Sequence, residues 1–242
     1  MPATPQPATP QPATPQYDDA TALRRVERDV VACARCPRLV ASRREAALHP
    51  PPRFAGEEYW ARPVPGFGDP EARLYVLGLA TSAHGGNRTG RAFTGNPTAD
   101  WLGAALHRAG FANRPVSAHR GDGYRLDGAW LASAVRCPPP GNRPTAAERD
   151  ACLPYFDAEL RALPTVSVVL TLGAFAWDAA CRQAGAHPRP AFAHGACFTR
   201  PDGRVQLASY HPSRQNTATG RLTRPMLDHI LSRARTLTAP PP

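Results

Sequence analysis

Four short stretches of the chain are apolar almost without interruption: Arg73–Leu79, Trp130–Val135, Val166–Leu172 and Val205–Ser209. Unbroken apolarity over so short a length predicts strands covered on both faces. Stretches with helical spacing lie around them: Asp18–Cys33, Thr98–Ala109, Ala146–Leu163, Ala174–Ala184 and Arg221–Ala234. Pro97 and Pro144 stand just before or within first turns, where a missing amide is tolerated. Strand and helix alternate, so the pattern predicts an α/β fold, a parallel sheet with helices on both faces. Ligands of such sheets bind beyond the carboxyl ends of the strands. The loops after Leu79, Val135, Leu172 and Ser209 are therefore the places to look for chemistry.

The ends of the chain lack this pattern. PATPQ occurs three times between Pro2 and Gln16, and proline at that density blocks helix and sheet ladders. Residues 1–17 read as a disordered Pro-rich tail, 18–238 as one folded domain and 239–242 as a frayed end. The length of 242 residues is enough for a sizeable core. The formal net charge is +10, and arginine supplies all 29 Lys+Arg residues. Arginine pairs bidentately with phosphate and stacks on bases, so the balance suits nucleic acid; a GC-rich genome would also favour arginine codons. No secretory signal is visible, and no apolar run approaches the roughly 18 residues needed to span a bilayer. The expected compartment is a reducing cytoplasm, with nucleoid association through DNA and no membrane partner.

In that compartment clustered cysteines read as metal ligands. Cys33-Ala-Arg-Cys36 is a C-x2-C pair at the end of the first predicted helix, and Cys137 and Cys152 follow far downstream. Together they offer four thiolates to one centre. Spacing alone leaves zinc and an iron–sulfur cluster both open. Cys181 and Cys197 read as small buried hydrophobes.

Two loops carry unusual residues. The first is Gly78-Leu-Ala-Thr-Ser-Ala-His-Gly-Gly-Asn-Arg-Thr-Gly-Arg-Ala-Phe-Thr-Gly-Asn96. Its glycines let a ligand approach the backbone, Arg88 and Arg91 add positive charge for DNA, and Phe93 adds a stacking face. It is neither a Walker loop nor a dinucleotide fingerprint. The second is Tyr210-His211-Pro212-Ser213-Arg214-Gln215-Asn216 at the end of the last strand. His211 is a candidate catalytic group, and Ser213, Arg214, Gln215 and Asn216 are candidate DNA contacts.

Together these residues resemble family 5 (type b) of the uracil-DNA glycosylase superfamily. The carriers are Gly78-Leu-Ala with Ala83-His-Gly, Asn87-Arg-Thr-Gly-Arg, Phe93-Thr-Gly, Arg136-Cys-x-Pro-Pro, Asn142-Arg-Pro and His211-Pro-Ser. Their order and the cysteine spacing span about Ala20 to Thr236. The resemblance implies a three-layer α/β/α sandwich with a central four-stranded parallel sheet. It also implies a [4Fe–4S] cluster on Cys33, Cys36, Cys137 and Cys152. It places an extruded base among Gly78, Leu79, Ala80, Phe93 and Ser133, with Phe93 stacked on it. By the same carry-over, His211 donates to the base O2. Three positions depart from the superfamily's patterns. Asn96 stands where family 5 commonly has Asp after Phe-Thr-Gly, Thr81 where Pro follows Leu-Ala, and Ser133 where the related family 4 reads uracil with Asn.

The expected reaction is hydrolysis of the N-glycosidic bond of uracil in DNA, the first step of base excision repair, by a monomer. Hypoxanthine and xanthine are expected as further substrates, because the uracil-reading Asn is lost. His211 would stabilise the leaving base, and Asn96 or a backbone carbonyl of the Gly78 loop would position water. With no lysine, Schiff-base lyase chemistry from lysine is excluded. Two other readings stand beside this one: a sensor that flips lesions without cutting, supported by Asn96, and a zinc-containing nucleotide hydrolase. The zinc deaminase signature is absent.

Overall fold

The computed structural model describes residues 19–239. The repeat tail, Asp18 and residues 240–242 lie outside the described residues. α1 (Asp19–Val31) and α2 (Pro37–Leu48) precede the sheet. Next come β1 (Phe67–Gly68), β2 (Leu74–Ala80), the single-turn α3 (Gly86–Thr89), α4 (Pro97–Arg108), β3 (Ala129–Val135) and α5 (Ala146–Arg161). Then follow β4 (Val168–Leu172), α6 (Ala174–Gln183), β5 (Cys197–Thr199), β6 (Val205–Ser209), the short α7 (Arg214–Ala218) and α8 (Arg224–Thr238). α2 has no counterpart in the sequence reading. Only Leu39 and Arg43 of its residues are buried, so it lacks an apolar stripe.

The sheet runs β1-β3-β2-β4-β6-β5. Its central strands, β3-β2-β4-β6, are parallel and are the four predicted. Antiparallel edge strands β1 and β5 raise the total to six, which corrects the expected four. β1 is two residues long and β5 three, too short to leave a pattern in the sequence. Short edges of this kind also limit pairing with foreign strands.

The two-residue strand period sorts the interior into two layers. Leu74, Val76, Leu131 and Leu170 face Leu102 and Leu106 of α4 and Leu227, Ile230 and Leu231 of α8. Tyr75, Leu77, Ala132 and Val169 face Phe156 and Leu160 of α5 and Ala176 and Ala180 of α6. Caps fix where the helices begin. Thr145 and Glu148 form a reciprocal capping box at α5, and Thr223 caps α8.

One ion pair is buried in the second layer. Arg136, directly after β3, donates two hydrogen bonds to Glu159 of α5, at 2.9 and 2.8 Å, with both side chains 2% exposed. The Tyr75 hydroxyl donates to the same carboxylate, and the Gly66 amide adds a bond of 3.2 Å. Burial and the neighbouring Glu159 charge push the Tyr75 phenol well above its ordinary range, so it stays a donor. Glu159→Gln should leave a buried guanidinium without its counter-charge and lower the unfolding free energy by about 3–5 kcal/mol. Urea denaturation of the two proteins measures this, and a change below about 1 kcal/mol would show that the pair contributes little.

Candidate active site

The carboxyl ends of the four parallel strands bring the two unusual loops together. Gly78 of β2 is in register with Ser133 of β3 on the α4/α8 side of the sheet. The Phe93 ring lies directly on Gly78: a β-carbon there would stand 2.4 Å from Phe93 Cζ. Phe93 holds φ +48°, a left-handed conformation that a side chain adopts at a cost of about 1–3 kcal/mol. The adjoining Thr94 hydroxyl fixes this turn through Ala92 O (3.1 Å) and Ser117 Oγ (2.7 Å). Leu79 and Ala80 continue the strand's end and are partly exposed, and Ser133 is buried.

His211 leaves β6 on the same edge. Asn216 Nδ2 donates to its carbonyl at 2.8 Å, and Ser213 caps α7 by accepting from the Asn216 amide. Gly173, at the end of β4 with φ +90°, leaves room for this turn; a β-carbon there would lie 3.2 Å from His211 Cβ. Ser213 and Asn216 thus build the loop, while Arg214 and Gln215 are exposed on its outer side. Burial pulls the His211 imidazole down to about 4. At neutral pH the ring is uncharged and carries one N–H donor.

The structure turns three predicted residues to other work. Asn96 is the N-cap of α4: its Oδ1 accepts from the Ala99 amide at 2.9 Å, and its Nδ2 occupies the space beside Gly85. The acceptor expected to hold water is therefore already used. Arg88 lies over the Phe54 ring and donates to Glu57, His84 O and Gly95 O. Arg91 is 7% exposed and donates to Thr94, Ser117, Arg120 O and both oxygens of Asp122. Burial opposes the Asp122 charge. Amide donors from Tyr124, Ala118 and His119, together with Arg91, outweigh it and hold the carboxyl far below its usual range. Arg88 and Arg91 are thus internal fasteners: their side chains close the loop from within.

Near the site, Tyr59 escapes the sequence reading, and His84 enters it only as part of the Ala83-His-Gly motif, with no role of its own. His84 Nδ1 and Tyr59 Oη are 3.0 Å apart. Burial first, then the Arg53 and Arg88 charges, lower the His84 imidazole. His84, Ser82, Arg53 and Asn96 line a cleft of about 490 Å³. Tyr59 lies in a loop whose pattern has no period, and nothing in the sequence pairs it with His84.

The predicted ligand cysteines come from four elements. Cys33 follows α1, Cys36 is the N-cap of α2, Cys137 follows β3 and Cys152 lies in α5. Cys36, Cys137 and Cys152 pack in one cluster with Leu39 and Val135. Burial pushes the Cys137 thiol up to about 11, against the pull of Arg43, which donates to its Sγ at 3.5 Å. Cys33 also bears on Cys137 and Cys152 electrostatically. All six cysteines are free thiols. Among the described residues, no three His, Cys, Asp or Glu side chains are gathered as for a single metal ion. Cys181 is buried as expected, whereas Cys197 is exposed on the edge strand β5, where no second layer covers it.

The profile of the uracil DNA glycosylase superfamily matches residues 65–235, which include both loops. A type-5 uracil-DNA glycosylase of Thermus thermophilus is 51% identical over 212 residues, 86% of this chain and 94% of that protein. Type-5 enzymes of Mycobacterium bovis and Pyrobaculum aerophilum are 49% and 47% identical, covering 86% and 85% of this chain and 79% and 88% of theirs. With residues 65–235 matched by the profile and about half of its residues shared with these enzymes, the chain belongs to the uracil DNA glycosylase superfamily.

Proposed function

We propose that the chain is a monofunctional uracil-DNA glycosylase acting in base excision repair. The observation that carries this reading is the Phe93 ring set on Gly78 at the end of β2, with a neutral, loop-fixed His211 at the end of β6 on the same edge of the sheet. A base extruded from the duplex at a cost of a few kcal/mol would stack on Phe93, with Ser133 at the floor. As the C1′–N bond breaks, charge collects on the base. His211 donates its N–H to the base O2, and one such aimed donor contributes roughly 3–4 kcal/mol. Because Asn96 Oδ1 caps a helix, the attacking water is held by backbone carbonyls of the Gly78 loop. A single rotatable hydroxyl at Ser133 accepts or donates, so hypoxanthine and xanthine also belong to the proposed substrates.

The chemistry of four free thiols, three packed together and the fourth bearing on two of them electrostatically, suits a [4Fe–4S] cluster held by Cys33, Cys36, Cys137 and Cys152. Such a cluster would act as a structural tie, with chemistry confined to holding its ligands. Cys137→Ser should lose iron and melt at lower temperature, whereas Cys181→Ser should keep both. Equal iron loss in the two variants would refute the ligand set.

His211→Ala should slow single-turnover uracil release by roughly 100-fold, the scale of one lost donor. Asn96→Ala should cost less in rate, and removing the cap should cost about 1 kcal/mol of stability. Asn96→Asp keeps an acceptor at the helix start and should retain or raise activity. A larger rate loss in Asn96→Ala than in His211→Ala would reverse these roles. A wild-type protein that binds uracil-containing duplex and releases no base would be a lesion sensor.

The pH profile follows from the same donor. A lowered His211 pKa keeps the ring neutral as the pH falls through 6.5, and protonation sets in only near 4. Single-turnover release should therefore show no histidine break from pH 8 down through the ordinary histidine range, with the His211 titration appearing only on approach to about 4. A break near 6.5 would show a His211 with an unshifted pKa.

A further inference from the structure

With Arg88 and Arg91 turned inward, the positive charge available to a polyanion lies elsewhere. A groove of about 660 Å³ runs beside α1 and α2 and is lined by Arg28, Arg43, Arg44, Trp60 and Arg62, with Glu27 as its acidic residue. Arg28, Arg44 and Arg62 are exposed, while Arg43 is buried and engaged with Cys33 O and Cys137 Sγ. The groove is built on Trp60. Its ring rests against Gly90, and its Nε1 donates to Pro63 O at 3.1 Å. The guanidinium of Arg62 lies 5.7 Å from the ring centre and that of Arg120 lies 4.8 Å away. Cation–π contact fixes two otherwise mobile cations at defined places. Arg120 is balanced in part by Glu27, at 3.3 Å.

Trp60 is also fastened to the active-site loop. Its amide donates to Arg88 O (3.0 Å), and the amide of Ala61 donates to Asn87 O (3.1 Å), both in α3. Ala61 holds φ +49°, a left-handed conformation unusual for a side-chain-bearing residue. A ligand in the groove would therefore be held rigidly relative to Phe93.

We infer that the Trp60 groove is a second DNA-contact site, in which Arg28, Arg44 and Arg62, with Arg120 on the Trp60 ring at its border, hold backbone phosphates of the duplex flanking the extruded base. This rests on the reading that the substrate is DNA. Exposed guanidiniums at one edge of the active-site loop, two of them held on the Trp60 ring, match a phosphate backbone, whose contacts position a protein without reading sequence. The groove would complement the exposed Arg214 of α7, so that the duplex is gripped at two places around the pocket.

The test is a salt titration of binding, with a fluorescein-labelled 24-base-pair duplex free of uracil as the probe. Arg44→Ala and Arg62→Ala should each flatten the plot of log affinity against log salt by about 0.9, one phosphate's worth of released counterions. The double variant should flatten it by about twice that. Arg161→Ala, an exposed arginine at the far end of α5, is the charge-matched control and should leave the slope unchanged. Unchanged melting temperatures establish that the variants are folded. Groove variants that change the slope no more than the control would overturn the proposal. If wild type releases no uracil, the glycosylase reading fails while the slopes still decide the groove.

Discussion

Glu159 sits in a dry interior where a carboxylate survives only because a guanidinium, a phenol and an amide all point at it. That arrangement fixes Arg136, and Arg136 fixes the end of β3. Val135 just before it pairs with Ala80 across the sheet, and the Val64 amide donates to the Arg136 carbonyl at 2.8 Å. The same register sets Ser133 opposite Gly78 and starts the loop bearing Cys137. Pocket floor and cysteine group therefore inherit their position from one buried charge pair.

α2 extends this coupling. Its Arg43 carbonyl accepts from Asn87 Nδ2 at 3.1 Å, and its guanidinium donates to Cys33 O and Cys137 Sγ. One arginine thus joins the glycine-rich loop to the cysteines. A tie among the four thiols would stiffen the base pocket as well as the N-terminal helices, although no cysteine lines the pocket.

The central strands and main helices were legible because each buries a continuous run or a periodic face. β1 and β5 were not, being edges of two and three residues, and α2 was not, since a buried arginine and one leucine make no stripe. At the site, residue types were more legible than directions. Phe93 lies on Gly78, and His211 leaves the last strand at the same edge of the sheet. Arg88 and Arg91 have the chemistry of phosphate ligands, yet Glu57 and Asp122, more than 30 positions away, decide that they point inward. Local sequence carries no trace of such partners. The same holds for Trp60 and Arg120, which lie 60 positions apart on opposite sides of the glycine-rich loop.

Asn96 is followed by Pro97, the first residue of α4. An asparagine ages to aspartate chiefly when the next backbone nitrogen attacks its side-chain carbonyl, and that attack needs an N–H. Proline has none. The proline that starts the helix thus also closes the ordinary route by which this amide would become a carboxylate over the protein's lifetime, so the chemical identity of the cap beside the pocket is kept by its neighbour.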